Sequence, residues 1–332
     1  MNTVIKDTCG YPYPQGENTC WFNAILTVLF NSNKTRELFI KENNLILSKI
    51  NPELDIYSFF QIILDNKNFN NKNIMKDIFV KYTPEKILDL LYKYNKDLFY
   101  INAIIGVNGF NSSYYLKPFF ELFNLNSIFF DIYNDEMYVS NLNFIKNVKY
   151  NDDGYDINYE TDINNDKNMS LTMKGILEKN IVPEIIVIIL YDDETIKITI
   201  DNDNDELINK IKRLSIDNDI KINMQHIDKY YNIRYNDCKY NLEAVILGNY
   251  NIINGNNENH LIAGFHCKND KVVYNGVYDD TEPCNFIKYD WDIHTLNQFC
   301  YNTNSCKIDS IKKDDLCYDF GQGYRILLYV KT

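Results

Sequence analysis

Through the first third of the chain, apolar residues recur at three- and four-residue spacing. In "WFNAILTVLF" (21–30), "DIYSFFQIIL" (55–64) and "PEKILDLLYKY" (84–94) that spacing predicts helices, and Pro84 suits a first helical turn, where no N–H is needed. "GFNSSYYLKPFFELFNL" (109–125) predicts another helix, with Pro118 near its start. The stretch 147–182 is polar and acidic with little periodicity, and reads as a long loop or insertion. From Pro183 the texture changes to β-branched and aromatic runs broken by Asn, Asp and Gly. "EIIVIILY", "TIKITI", "EAVILGNYNII", "LIAGFHC", "KVVYN" and "YRILLYV" predict strands. Helices first and strands later imply an α+β chain. The expectation is one domain over 1–332, with a helical lobe (about 15–125) packed against an antiparallel β-sheet lobe (about 183–332). A cleft between the two would hold the active site.

Charge narrows the choice of partner. The formal net charge is −12, which argues against nucleic acid, since affinity for phosphate backbones comes from clustered Lys and Arg. An acidic surface suits basic protein faces. No apolar run approaches the ~20 residues that span a bilayer, and the N-terminus lacks a signal-peptide core. A soluble, cytoplasmic protein without membrane contact is expected. Asn, Ile, Lys and Tyr are abundant and Ala is sparse. These residues have AT-rich codons, so Asn clusters lose weight as turn signals.

The eight cysteines are scattered without a CxxC pair, and indicate neither a disulfide framework nor a zinc ribbon. His294, Cys300 and Cys306 crowd together but lack the tight pairing of structural zinc ligands. Neither a metal nor a cofactor is expected.

One cysteine stands apart. Cys20 lies between the polar "QGENT" and the apolar "WFNAILTVLF", so a helix starting there would direct its unpaired N–H groups at the thiol and favour the thiolate. Thr19 or Asn18 could cap the same end, and Trp21 would shield the site from one side. Gln15, five residues upstream across Gly16, could join the Cys20 N–H in stabilising an oxyanion. These residues alone fit a buried core cysteine equally well. In "HLIAGFHCKNDKVVYN", however, His260 opens a strand, a turn follows, and a second strand ends on Asn275. A hairpin brings that end back beside His260, pairing a general base with a group that can hold its tautomer. Asp279 and Asp280 are the alternative orienting residues. His266 and Cys267 are read as structural, because position 266 lies roughly 20 Å along the strand from 260.

Together these stretches resemble the signature boxes of the ubiquitin-specific proteases. "GENTCWFNAILTVLF" resembles that family's cysteine box, of the form NxGNTCYxNS before an apolar helix. "HLIAGFHCKNDKVVYN" resembles its histidine box, and "GYRILLYVK" its closing strand. The combination of NTCWFN, HxIAG and VYNG is similar to a group of predicted papain-like proteases encoded by large DNA viruses. The resemblance covers both ends of the chain and leaves about 60–240 unaligned.

It implies a papain-like fold with Cys20 as nucleophile, His260 as general base and acid, and Asn275 as the orienting residue. Gln15 would stand in for the usual oxyanion-hole Asn. The implied activity is thiol-dependent cleavage after the C-terminus of ubiquitin or a ubiquitin-like modifier, with conjugates of those proteins as partners, in the host cytoplasm or a virion if the chain is viral. Three features depart from the family pattern. Glu17 replaces a glycine, the QQDAxEF box is absent, and so are the paired CxxC zinc ligands of the fingers region. The last departure bears on grip of ubiquitin more than on thiol chemistry. A protease that processes viral or cellular polypeptides, and a catalytically silent binding module of the same fold, are the rival readings.

Overall fold

The computed structural model describes residues 3–4, 9–16, 18–106, 110–133, 136–151, 154–159, 182–191, 232–235, 238–248, 260–276, 278–279, 282–294, 298–301, 316–321 and 323–332. The helices are α1 (Cys20–Phe30), α2 (Asn33–Lys41), α3 (Asn43–Lys49), α4 (Asp55–Leu64), α5 (Asn66–Phe69), α6 (Lys72–Lys81), α7 (Pro84–Tyr94), α8 (Ala103–Gly106) and α9 (Ser112–Leu122), of which α1, α4, α7 and α9 lie in the stretches whose spacing predicts them. The strands are β1 (Thr3–Val4), β2 (Ser127–Tyr133), β3 (Glu136–Val139), β4 (Ile145–Asn151), β5 (Gly154–Tyr159), β6 (Ile185–Tyr191), β7 (Asn232–Tyr235), β8 (Cys238–Gly248), β9 (Leu261–Cys267), β10 (Asp270–Tyr274), β11 (Tyr278–Asp279), β12 (Glu282–Pro283), β13 (Ile287–Lys288), β14 (Gln298–Tyr301), β15 (Leu316–Asp319) and β16 (Arg325–Lys331).

Among the described residues the main sheet runs β1-β13-β10-β9-β8-β16-β6-β2-β3, with β7 beside β8. Both faces of its centre are covered, which explains the unbroken apolar runs of β6, β8 and β16. Ile185, Val187 and Ile189 join the core under the helices. Ile186, Ile188 and Leu190 face a second core with Trp291, Phe299, Tyr301, Tyr318 and Phe320. The helical layer is also pinned to the sheet by polar contacts. Glu243 of β8 accepts from Ser32 Oγ at 2.6 Å and from Lys34 N at 2.8 Å, the second an N–H without a partner inside the helix at the start of α2. The Asn33 carboxamide makes two hydrogen bonds with the main chain of Lys268, at the β9–β10 turn.

Several expectations are corrected. The sheet is mixed rather than antiparallel, because β2 pairs β6 in parallel. Strands also begin well before 183: β2 and β3 precede the polar stretch, and the β4–β5 hairpin occupies its first part. There the polar, Asn-rich alternation hid the strands. "TIKITI" and the end of "EAVILGNYNII" lie outside the described residues. Pro118 is inside α9 rather than near its start. It has no N–H for the Tyr114 carbonyl one turn back, and the Tyr100 hydroxyl donates to that oxygen instead, at 3.1 Å.

The cysteine expectation is also overturned. Cys9 is bonded to Cys267 and Cys300 to Cys317, and Cys284 is disulfide-bonded as well. Cys9 and Cys267 are 258 positions apart, and spacing cannot reveal such a pairing. Among the described residues no helix is long and apolar enough to cross a membrane.

Candidate active site

Cys20 is the first residue of α1 and is 7% exposed. The expected side-chain cap is absent. The Thr19 hydroxyl instead accepts the Gly16 N–H at 3.0 Å, inside the preceding loop. Asn18 turns that loop with φ 52°, a left-handed conformation that Asn tolerates better than most residues. An N–H at the uncapped end, that of Trp21, is directed at the Cys20 sulfur. Trp21 itself is buried. Its ring packs edge-on against Tyr115, and its Nε1 donates to the Gly106 carbonyl at 3.0 Å, so it anchors the helix that Cys20 begins in the helical core.

His260 immediately precedes β9, whose pairing with β10 brings Tyr274 opposite Ala263 and Asn275 to the histidine's end of the hairpin. The imidazole hydrogen-bonds the Cys20 thiol. Its Nε2 lies 2.7 Å from the main-chain carbonyl oxygen of Asn275. A carbonyl only accepts, so Nε2 carries hydrogen and the lone pair of the neutral ring is on Nδ1. Asn275 is therefore beside His260, as the hairpin predicts, but the hydrogen bond from Nε2 goes to its main chain and not to its carboxamide.

Gly276 follows with φ +70°, and a Cβ there would lie 3.1 Å from His260 Cε1, 3.2 Å from His260 Nε2 and 3.3 Å from Gln15 Oε1. Only glycine suits both that conformation and that approach. Behind the histidine, the Tyr318 hydroxyl donates to the His260 carbonyl at 3.2 Å, and Tyr301 meets the imidazole edge-on. These two tyrosines stack on the β14–β15 hairpin, which the Cys300–Cys317 disulfide crosslinks.

Electrostatics at the thiol are a contest. Burial raises the Cys20 pKa, while the hydrogen bond and charge of His260 and the N–H groups of Leu261 and Trp21 lower it; the net shift is downward. The arrangement can therefore populate a thiolate next to an imidazole.

Gln15 sits on an arm, residues 9–16, that runs antiparallel to α1. Asn31 Nδ2 holds the Cys9 carbonyl and Asn23 Nδ2 holds the Pro14 carbonyl, both at 2.8 Å. From the sheet side, Tyr274 donates to the Tyr13 carbonyl at 2.8 Å, and Cys267 binds Cys9 covalently. The arm is thus tied both to the helix bearing Cys20 and to the strand that follows His260. Gly16 allows the Glu85 carboxylate to press against the loop, since a Cβ there would collide with Glu85 Oε1.

Cys20, His260, Asn275 and Gln15 are thereby brought together. His266 packs on Trp291, away from them, with its pKa lowered by burial and then by Lys271. Asp279 lies in the short β11–β12 pair. Asp280 and Glu17 lie outside the described residues. Cys300 is committed to its disulfide, and among the described residues no group of His, Cys, Asp or Glu is arranged to hold a metal. Sequence reasoning gave no role to Asn23, Gly276 or the Leu261 N–H. For Asn23 a signal existed, a lone amide early in an apolar helix.

No protein-family model matches the chain, and no curated protein matches it by sequence. Among solved structures, the chain is similar to one in "Structure of the SAGA Ubp8/Sgf11/Sus1/Sgf73 DUB module bound to ubiquitin aldehyde", at a TM-score of 0.42 and 9% identity over 100% of this chain and 71% of that one.

Proposed function

We propose that the protein is a thiol-dependent peptidase that cleaves the peptide or isopeptide bond after the C-terminus of ubiquitin or a ubiquitin-like modifier. The observation that carries the chemistry is the hydrogen bond between the Cys20 thiol and His260, whose Nε2 is held by the Asn275 carbonyl. The substrate class rests on the resemblance of the cysteine and histidine boxes to the ubiquitin-specific proteases. The chain's net charge of −12 suits a basic face on the modifier.

In this scheme Nδ1 of His260 takes the thiol proton as sulfur attacks the carbonyl carbon. The oxyanion is met by the Cys20 N–H and the Gln15 carboxamide. As the tetrahedral intermediate collapses, the C–N bond breaks and the imidazolium passes its proton to the leaving amine. Water, deprotonated by the same imidazole, then hydrolyses the thioester and frees the sulfur.

A processing protease with the same machinery is the second reading, favoured by the lack of paired CxxC zinc ligands in the sequence. Ubiquitin carrying a C-terminal electrophile tests the choice. A covalent adduct that disappears in Cys20→Ala supports the proposal; no adduct from folded protein removes ubiquitin as substrate, and an adduct undiminished in Cys20→Ala removes the site.

A further inference from the structure

We infer that Asn23 is a positioning residue that fixes which way the Gln15 carboxamide faces, so that its NH2 group is presented to the oxyanion. The inference rests on the thiol-peptidase reading above and deepens it. Asn23 lies one helical turn after Cys20, on the same face of α1, and is fully buried. Its Nδ2 donates to the Pro14 carbonyl at 2.8 Å and to Gln15 Oε1 at 3.2 Å.

The first bond fixes the sense of the second. Pro14 offers only a carbonyl, so the Asn23 atom facing the arm must be the donor. That donor can be met only by the oxygen of Gln15, because a turned amide would set NH2 against NH2. A Cβ at Gly276 would lie 3.3 Å from Gln15 Oε1, so the glycine leaves the carboxamide its place. With its oxygen held on this side, the Gln15 Nε2 faces the other way and remains a donor for developing negative charge. An amide that must be oriented before the reaction gains from such support, since a donor that turns during the reaction loses much of its value.

The test is a double-mutant cycle on the full chain, read with a fluorogenic amide of the ubiquitin C-terminus. Gln15→Ala should lower kcat by about 100- to 1000-fold, the loss typical of one oxyanion donor. Asn23→Ala should lower kcat by about 10- to 100-fold with KM changed less than threefold, as expected for a misplaced catalytic group. The double variant should be no slower than Gln15→Ala alone, and alkylation of Cys20 by iodoacetamide should be unchanged in Asn23→Ala. Losses that multiply, or an alkylation rate that falls with kcat, would show a general structural role and overturn the inference. If Asn23→Ala does not fold, Asn23→Ser gives the same reading, because its hydroxyl can serve Pro14 without spanning to Gln15.

A readout independent of turnover separates this inference from the function it rests on. In protein labelled with 15N-glutamine, the two Gln15 side-chain amide protons should be dispersed and slow to exchange, and should collapse toward random-coil shifts in Asn23→Ala. Wild-type protein that turns over no substrate, but whose dispersed Gln15 resonances collapse in Asn23→Ala, would sink the peptidase reading while keeping the positioning; resonances unchanged by the substitution would sink the positioning.

Discussion

His260 Nε2 donates to the main-chain carbonyl of Asn275 across 2.7 Å. Truncating the Asn275 side chain leaves that carbonyl in place, so Asn275→Ala should reduce kcat by less than about tenfold. Loss of a side-chain orienting group instead costs about 10⁴-fold in a serine-protease triad. A loss of 1000-fold or more in Asn275→Ala, at unchanged stability, would return the orienting role to the carboxamide.

Gly276→Ala should be the more damaging change. It strains a backbone at φ +70° and places a methyl group 3.1–3.2 Å from the imidazole. Steady-state kinetics should show kcat lower than in Asn275→Ala. Equal activity in the two variants would mean that the ring has room to move.

The strap between Cys9 and Cys267 predicts a coupling of stability to activity. Replacing both by serine removes a crosslink between residues 258 apart, and should cost about 2–5 kcal/mol in urea unfolding. It also releases the arm that carries Gln15, so kcat should fall further than stability alone accounts for at temperatures where the variant is fully folded. Full kcat in folded Cys9→Ser/Cys267→Ser protein would show that the hydrogen bonds of Asn23, Asn31 and Tyr274 hold the arm unaided.

Two buried carboxyls predict a stability that declines toward neutral pH. Burial raises Glu243 to about 7, against hydrogen bonds from Ser32 and Lys34 that lower it, and burial raises Asp131 to about 7, against Ser140. Each folded-state pKa lies above its unfolded value, so the folded protein binds more protons between the two. Their contribution is full below about pH 4 and is lost as the pH rises through 7. Glu243→Gln keeps an acceptor oxygen for Ser32 and Lys34 and removes the titration. Unfolding free energies measured from pH 4 to 8 should therefore fall less steeply in Glu243→Gln than in wild type. Parallel slopes would contradict the assignment.

How much of this was legible in the sequence depended on whether a feature was local. The helices of "WFNAILTVLF", "DIYSFFQIIL" and "PEKILDLLYKY", and the strands of "LIAGFHC" and "YRILLYV", appear where apolar spacing predicts them. Two local motifs, a helix start and a hairpin, paired Gln15 with Cys20 and Asn275 with His260; that the two pairs meet was only what the family resemblance implied. What could not be read was whatever needed a partner far along the chain or a choice between atoms. The Cys9–Cys267 bond is one case. The Nε2 bond to a carbonyl, present at every residue and so invisible in sequence, is another. The Thr19 hydroxyl could serve either its helix or the loop before it, and the fold gave it to Gly16. The β4–β5 hairpin was missed because its polar alternation contains too few apolar residues to set a period.

The central claim is that His260 makes Cys20 a nucleophile, and the pH dependence of Cys20 alkylation tests it most directly. Iodoacetamide modification should be followed at Cys20 by peptide mass spectrometry, because Cys238 is also a free thiol. Wild-type protein should react with a midpoint below the ordinary thiol value of about 8.5. In His260→Ala burial would lose its main opposition, so the midpoint should move above that value and the rate at pH 7 should fall at least tenfold. The same midpoint in both proteins, at or above the ordinary value, would contradict the account and leave Cys20 a core thiol at the start of a helix.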